Sequence, residues 1–168
     1  MIEKLKYILY FIVLLLVQTL ILDQISVSVY VNAFVYILFI MMLPIETNKY
    51  LVLLLGLLMG LGVDLFDSTL GLHASGGVLV AFVRTFALDI YSPHDGYEAN
   101  KQLSVRNYGY LWFIKYALTL IIVHHLWIFF FENLSFANIF FTLGKVVISS
   151  VTSFVVILLL HLLLMSRK

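Results

Sequence analysis

Most side chains of this sequence that could take part in chemistry lie within or beside long apolar runs, where a charge or a polar group is costly unless it has a partner. His73-Ala74-Ser75-Gly76 sets a hydroxyl near an imidazole at the head of one run, and His161 stands near the end of the last. A serine and a histidine base suit nucleophilic hydrolysis if they come within about 3 Å of each other. On helices these two do not. Ser75 opens its run, whereas His161 lies 21 residues beyond Phe140, a path of roughly 30 Å towards the opposite side. Metal chemistry is the second option, because Asp64, Asp67, His73, His124, His125, Glu132 and Lys145 all fall towards one side. Adjacent histidines diverge by about 100° on a helix, however, and zinc pairs prefer i, i+4 spacing. The group therefore reads as an interfacial polar collar. No catalytic residue, metal ion or cofactor is expected, and the absence of cysteine removes disulfide and thiolate chemistry. Neither a phosphate-binding glycine loop nor a nucleic-acid surface is present in the pattern.

A third group faces the other side. Arg84 lies about twelve residues into the fourth run, roughly 18 Å from its start. At that depth an arginine costs at least ~2.5–3.5 kcal/mol unless it is paired or snorkels. Asp89, five residues on, is the expected partner, with Lys115 and His161 able to join an inner cluster. The competing arrangement has both cations snorkelling to the headgroups.

The elements that must position these residues follow from composition. Of 168 residues, 63% are hydrophobic and 11% charged, against about 25% charged in soluble proteins. That excludes a soluble globular protein and predicts a single integral membrane domain over 1–168, an all-α bundle of six transmembrane helices at about 7–22, 30–43, 50–63, 72–91, 108–131 and 140–165. Lys4, Lys6, Lys49, Lys101, Arg106, Arg167 and Lys168 then share one side, and Asp23, Asp64, Asp67 and Glu132 the other. By the positive-inside rule both termini and the loop 92–107 are cytoplasmic. The first run could be a signal peptide, with Ser26-Val27-Ser28 as a cleavage site, but its length favours a retained helix.

Helix packing is written most clearly in the third and fourth runs. Gly56 and Gly60 form a GxxxG element, and Ala74, Gly77, Ala81 and Thr85 recur at helical spacing on the next run. The short turn from Asp67 to Gly71 makes the two helices antiparallel neighbours, and Gly71 is placed to supply a positive φ. Asp64 predicts either an early end to the third helix or a carboxylate dipping below the surface.

The stretch Gly60-Leu61-Gly62-Val63-Asp64, leading through Phe66 to Leu70-Gly71-Leu72-His73-Ala74, resembles the central signature of the rod shape-determining protein MreD family. The segment from Ser92-Pro93-His94-Asp95 to Gly96-Tyr97-Glu98 and the pair His124-His125 continue the likeness, as do the chain length and six-span layout. The resemblance implies a non-enzymatic scaffold subunit of the bacterial cell-elongation complex in the inner membrane. Its implied partners are MreC, MreB, RodZ, RodA, a class B transpeptidase and membrane lipids, with no nucleic acid. It also implies a fold like the substrate-binding subunits of energy-coupling-factor transporters, and hence the alternative of a small-molecule-binding transporter subunit. Gly56, Gly60, Asp64, Asp67, Gly71, His73, Arg84, Asp89 and Lys115 are the expected partner-binding or structural polar residues.

Overall fold

A computed structural model describes residues 2–25, 31–98, 101–133 and 139–166. Ser26 to Ser28, Tyr30, Arg167 and Lys168, and the side chain of Lys4, lie outside the described residues. In chain order the elements are α1 (Ile2–Leu16), which continues as a π-helical turn over Val17–Leu22, α2 (Ile37–Met42), α3 (Lys49–Asp67), α4 (Leu72–Ile90), α5 (Val105–Tyr108), α6 (Tyr110–Asn133) and α7 (Ile139–Ser166). Five stretches, Leu5–Leu22, Lys49–Asp67, Leu72–Ile90, Tyr110–Glu132 and Ile139–Leu164, are long and apolar enough to cross a membrane. The chain is a helical, multi-pass membrane protein. Helix α4 packs between α3 and α6, α7 packs against α6, and α1 leans on α3.

The second expected span departs from the sequence reading. A continuous helix over 30–43 is not formed. Residues 32–35 are without regular structure, and only the six residues of α2 are helical. The segment nevertheless runs from the end of the bundle where α1 finishes to the end where α3 begins, since Asn32 and Phe34 share a cleft with Asp23 and Asp67 while Leu43 and Pro44 share a groove with Tyr7 and Asn48. Every residue from Phe34 to Leu43 is buried. Non-helical backbone is tolerated at membrane depth only where protein groups satisfy it, and here they do. The Gln18 side chain accepts from Val35 N at 2.7 Å and donates to Ala33 O at 3.1 Å. Ser149 Oγ accepts from Asn32 N at 3.1 Å, and Ser153 Oγ from Phe34 N at 2.9 Å. Tyr116 donates to Met41 O at 3.2 Å. Helix α2 stops at Met42 because Leu43 precedes Pro44, whose ring forces the preceding residue into extended backbone, here φ −58° and ψ 144°.

Helices α3 and α4 meet as the small-residue pattern predicts. A Cβ on Gly56 would sit 2.6 Å from Gly77 O, and one on Gly60 would lie 2.5 Å from Ala74 Cα and collide with the His73 carbonyl. The backbones are therefore in contact, the source of association where lipid gives no hydrophobic drive. Thr85 departs from the stripe and is exposed.

Candidate functional site

The turn between α3 and α4 is built around Asp64. Helix α3 does not end early: it continues to Asp67, so Asp64 lies in its last turn and is buried. From there its carboxylate reaches the N-terminus of α4, Oδ1 accepting from His73 N at 2.9 Å and Oδ2 from Ala74 N at 2.8 Å. Thr69 adds a hydroxyl donor. A carboxylate here satisfies two amides that the helix leaves unpaired and faces the positive end of its dipole. Gly71 precedes α4 at φ 80°, as the turn requires.

Above this turn opens a cleft of about 560 Å³ whose polar lining includes Asp23, Asn32, Asp67, Thr69, His73, Glu132 and Lys145. Lys145 is buried, holds Glu132 at 2.9 Å, and lies 4.4 Å from the centre of the Phe129 ring. Asp67 approaches His73 Nε2 at 3.8 Å. Asp23, just past the first span, accepts from Gln18 Nε2 at 2.7 Å. Burial pushes its carboxyl up to about 6, against the lowering effect of the Gln18 hydrogen bond and with a further rise from the Asp67 charge.

A chain of rings leads inward from the cleft. The Tyr36 hydroxyl bridges His124 Nε2 and His73 Nδ1, the latter at 3.4 Å. With one proton to give, it donates to one imidazole and accepts from the other. Phe34 packs against three imidazoles, its ring centre 5.2 Å from His73 and 5.3 Å from both His124 and His125. His125 Nδ1 donates to Ile121 O at 2.8 Å, and its Nε2 accepts from Ser153, the serine that holds Phe34 N. Gly76 makes room, since a Cβ there would stand 3.2 Å from the His124 ring. Among the described residues no three histidine, aspartate or glutamate side chains converge as metal ligands.

Ser75 and His161 are at opposite ends. The Ser75 hydroxyl donates to Leu72 O at 2.8 Å and accepts from Trp127 Nε1 at 2.9 Å. His161 accepts from Val105 N at 3.4 Å and stacks on Phe113 with ring centres 4.4 Å apart.

The expected inner cluster does not form. Arg84 is buried, but its Nη2 donates to Leu43 O at 2.6 Å and Pro44 O at 3.2 Å instead of to Asp89. The physical reason is the stop of α2: the carbonyls of Leu43 and Pro44, just beyond it, lie outside any helical ladder, and a guanidinium near a helix C-terminus satisfies such groups. Asp89 and Lys115 are both exposed and neither forms an ion pair among the described residues. His161 has the separate partners given above.

The polar adapters Gln18, Ser149 and Ser153, and the bridging Tyr36, are residues of this site that the sequence reading did not single out. Gln18 within the first apolar run, and Ser149 with Ser153 at i, i+4 in the last, carried the signal, since intramembrane polar side chains need partners. Compared with protein-family models, curated proteins and solved structures, the chain matches none.

Proposed function

We propose that this chain is a non-enzymatic scaffold of the bacterial cell-elongation complex, an MreD-like subunit that docks MreC and cell-wall synthases in the inner membrane. The observation that carries the reading is the convergence of the signature-like residues Gly60, Asp64, Gly71, His73 and Ala74 on one hairpin, where each serves close packing, capping or the turn. Their work is to fix a surface. Ser75, whose hydroxyl donates to Leu72 O within α4 and accepts from Trp127 of α6, fits the same non-catalytic assignment.

In this reading the segment 31–43 makes a sixth crossing. Five non-helical residues at up to about 3.3 Å each and seven with helical backbone at about 1.5 Å span at most roughly 27 Å, close to the thickness of the hydrocarbon core. Lys6, Lys49, Lys101 and Arg106 mark the cytoplasmic end, and among the described residues the one lysine at the opposite end, Lys145, is neutralised by Glu132. A cysteine placed at the exposed His94 of this cysteine-free chain should resist an impermeant maleimide in intact cells. Labelling there would reverse the orientation.

Affinity purification in mild detergent from native membranes tests the function, together with depletion in a rod-shaped host. Co-purification of MreC and synthases, round cells on depletion, and full rescue by Ser75→Ala are expected. The polar cleft of about 560 Å³ favours a second reading, a small-molecule-binding subunit of a transporter. Recovery of an ATPase and its coupling subunit instead of MreC would select it.

A further inference from the structure

At the end of the bundle where α3 begins and α4 finishes, Arg84 closes a second cavity, of about 260 Å³. Lys49, Thr47, Thr85, Asp89, Ser92 and Tyr97 share its lining. We propose that this cavity is a binding site for a phosphate-type oxyanion. The inference goes beyond the scaffold reading and does not depend on it.

The first argument is the state of Arg84. The residue is 3% exposed, its Nη2 is spent on two carbonyls, the neutral Tyr116 hydroxyl is a further hydrogen-bonding neighbour, and its buried Nε–H has no partner. Among the described residues no carboxylate is in ion-pair contact with it. Carbonyl dipoles satisfy donors but do not cancel a charge, and a guanidinium in a low-dielectric site gains most from an anion. The second argument is the cavity's shape and rim. Lys49, Thr85, Asp89 and Ser92 are exposed whereas Arg84, Val52 and Leu88 are buried, so Arg84 lies on the inner side of the cavity and the opening lies at the level of the helix ends. Lys49 and the hydroxyls of Thr47, Thr85 and Ser92 supply a second cation and neutral donors. The volume falls just below the roughly 300–1,000 Å³ of pockets for drug-sized ligands and suits a headgroup-sized anion. Asp89 opposes binding from the rim. With Arg84 and Lys49 against it, the lining keeps a net positive charge.

Phosphate chemistry has two sources here, a phospholipid headgroup entering from the bilayer or free phosphate entering from the aqueous side. Native mass spectrometry of the full chain in detergent, with phosphatidylglycerol or with diacylglycerol of the same acyl chains, tests the lipid. Thermal unfolding in lipid-depleted detergent, with inorganic phosphate against chloride at matched ionic strength, tests the free ion. Preferential retention of phosphatidylglycerol, by about tenfold or more, with no effect of phosphate assigns the anion to a lipid. A phosphate-dependent rise in Tm with no lipid preference assigns it to the free ion. In either case Arg84→Gln should abolish the effect, Lys49→Gln should weaken it and Asp89→Asn should strengthen it. The last two changes are at exposed positions and keep the test valid if Arg84→Gln does not fold. Absence of both effects in the wild type, or their survival unchanged in all three variants, overturns the proposal.

Discussion

Two parts of this molecule bring backbone close to backbone inside an apolar environment, and they do it by opposite means. Between α3 and α4 side chains are removed: Gly56, Gly60 and Gly77 let two regular helices touch, with every interior amide already paired within its own helix. Along 32–44 side chains are added. The backbone there is not helical until Ile37, and Gln18, Ser149, Ser153, Tyr116 and Arg84, from four different helices, supply the missing hydrogen bonds. The comparison teaches that a small-residue contact is sensitive to volume, whereas a broken segment is sensitive to the loss of a polar atom.

The largest effect is expected from volume in the hairpin. Gly60→Leu should prevent recovery of monodisperse protein, because even a Cβ collides with the α4 backbone, while Leu57→Ala, 37% exposed on another face, should leave Tm nearly unchanged. Size-exclusion profiles in detergent check both, and equal tolerance would remove the volume argument. Gln18→Leu comes next. It keeps the volume but leaves Val35 N–H buried without a partner, at about 1–3 kcal/mol, and removes the donor to the part-buried Ala33 C=O. A Tm equal to wild type would mean that the segment finds other partners. Asp64→Ala tests the polar cap within the hairpin and should cost about 1–2 kcal/mol through the lost cap of α4. Faster amide exchange at His73 and Ala74 should accompany it.

The smallest effect is a pH dependence at the Asn32 end of the broken segment. Asp23 has its carboxyl raised to about 6 by burial, so the unfolded chain ionises at lower pH than the folded one. The stability it contributes is present in full below the usual carboxylate range and is lost as pH rises through about 6. Tm in detergent should therefore fall modestly between pH 4 and about 7, and Asp23→Asn should flatten that slope. A slope unchanged by the substitution would separate the pH response from this residue.

Local pattern and composition determined much of this protein. The apolar runs define five membrane-crossing helices, because a helix satisfies its own backbone and needs only length and apolarity to lie in lipid. The GxxxG element and the turn at Gly71 were legible for a similar reason: small residues at helical spacing, and a glycine next to a tight turn, have few other uses. The contents of 30–43 were not legible. Val35 to Leu43 is an unbroken apolar run that reads as helix, and what breaks it before Ile37 is the set of acceptors and donors on α1 and α7 that reach it only once the chain is folded. The partner of Arg84 was hidden by the same cause. Sequence spacing pointed to Asp89, but the free carbonyls of Leu43 and Pro44, just past the end of α2, come beside Arg84 only in the tertiary structure.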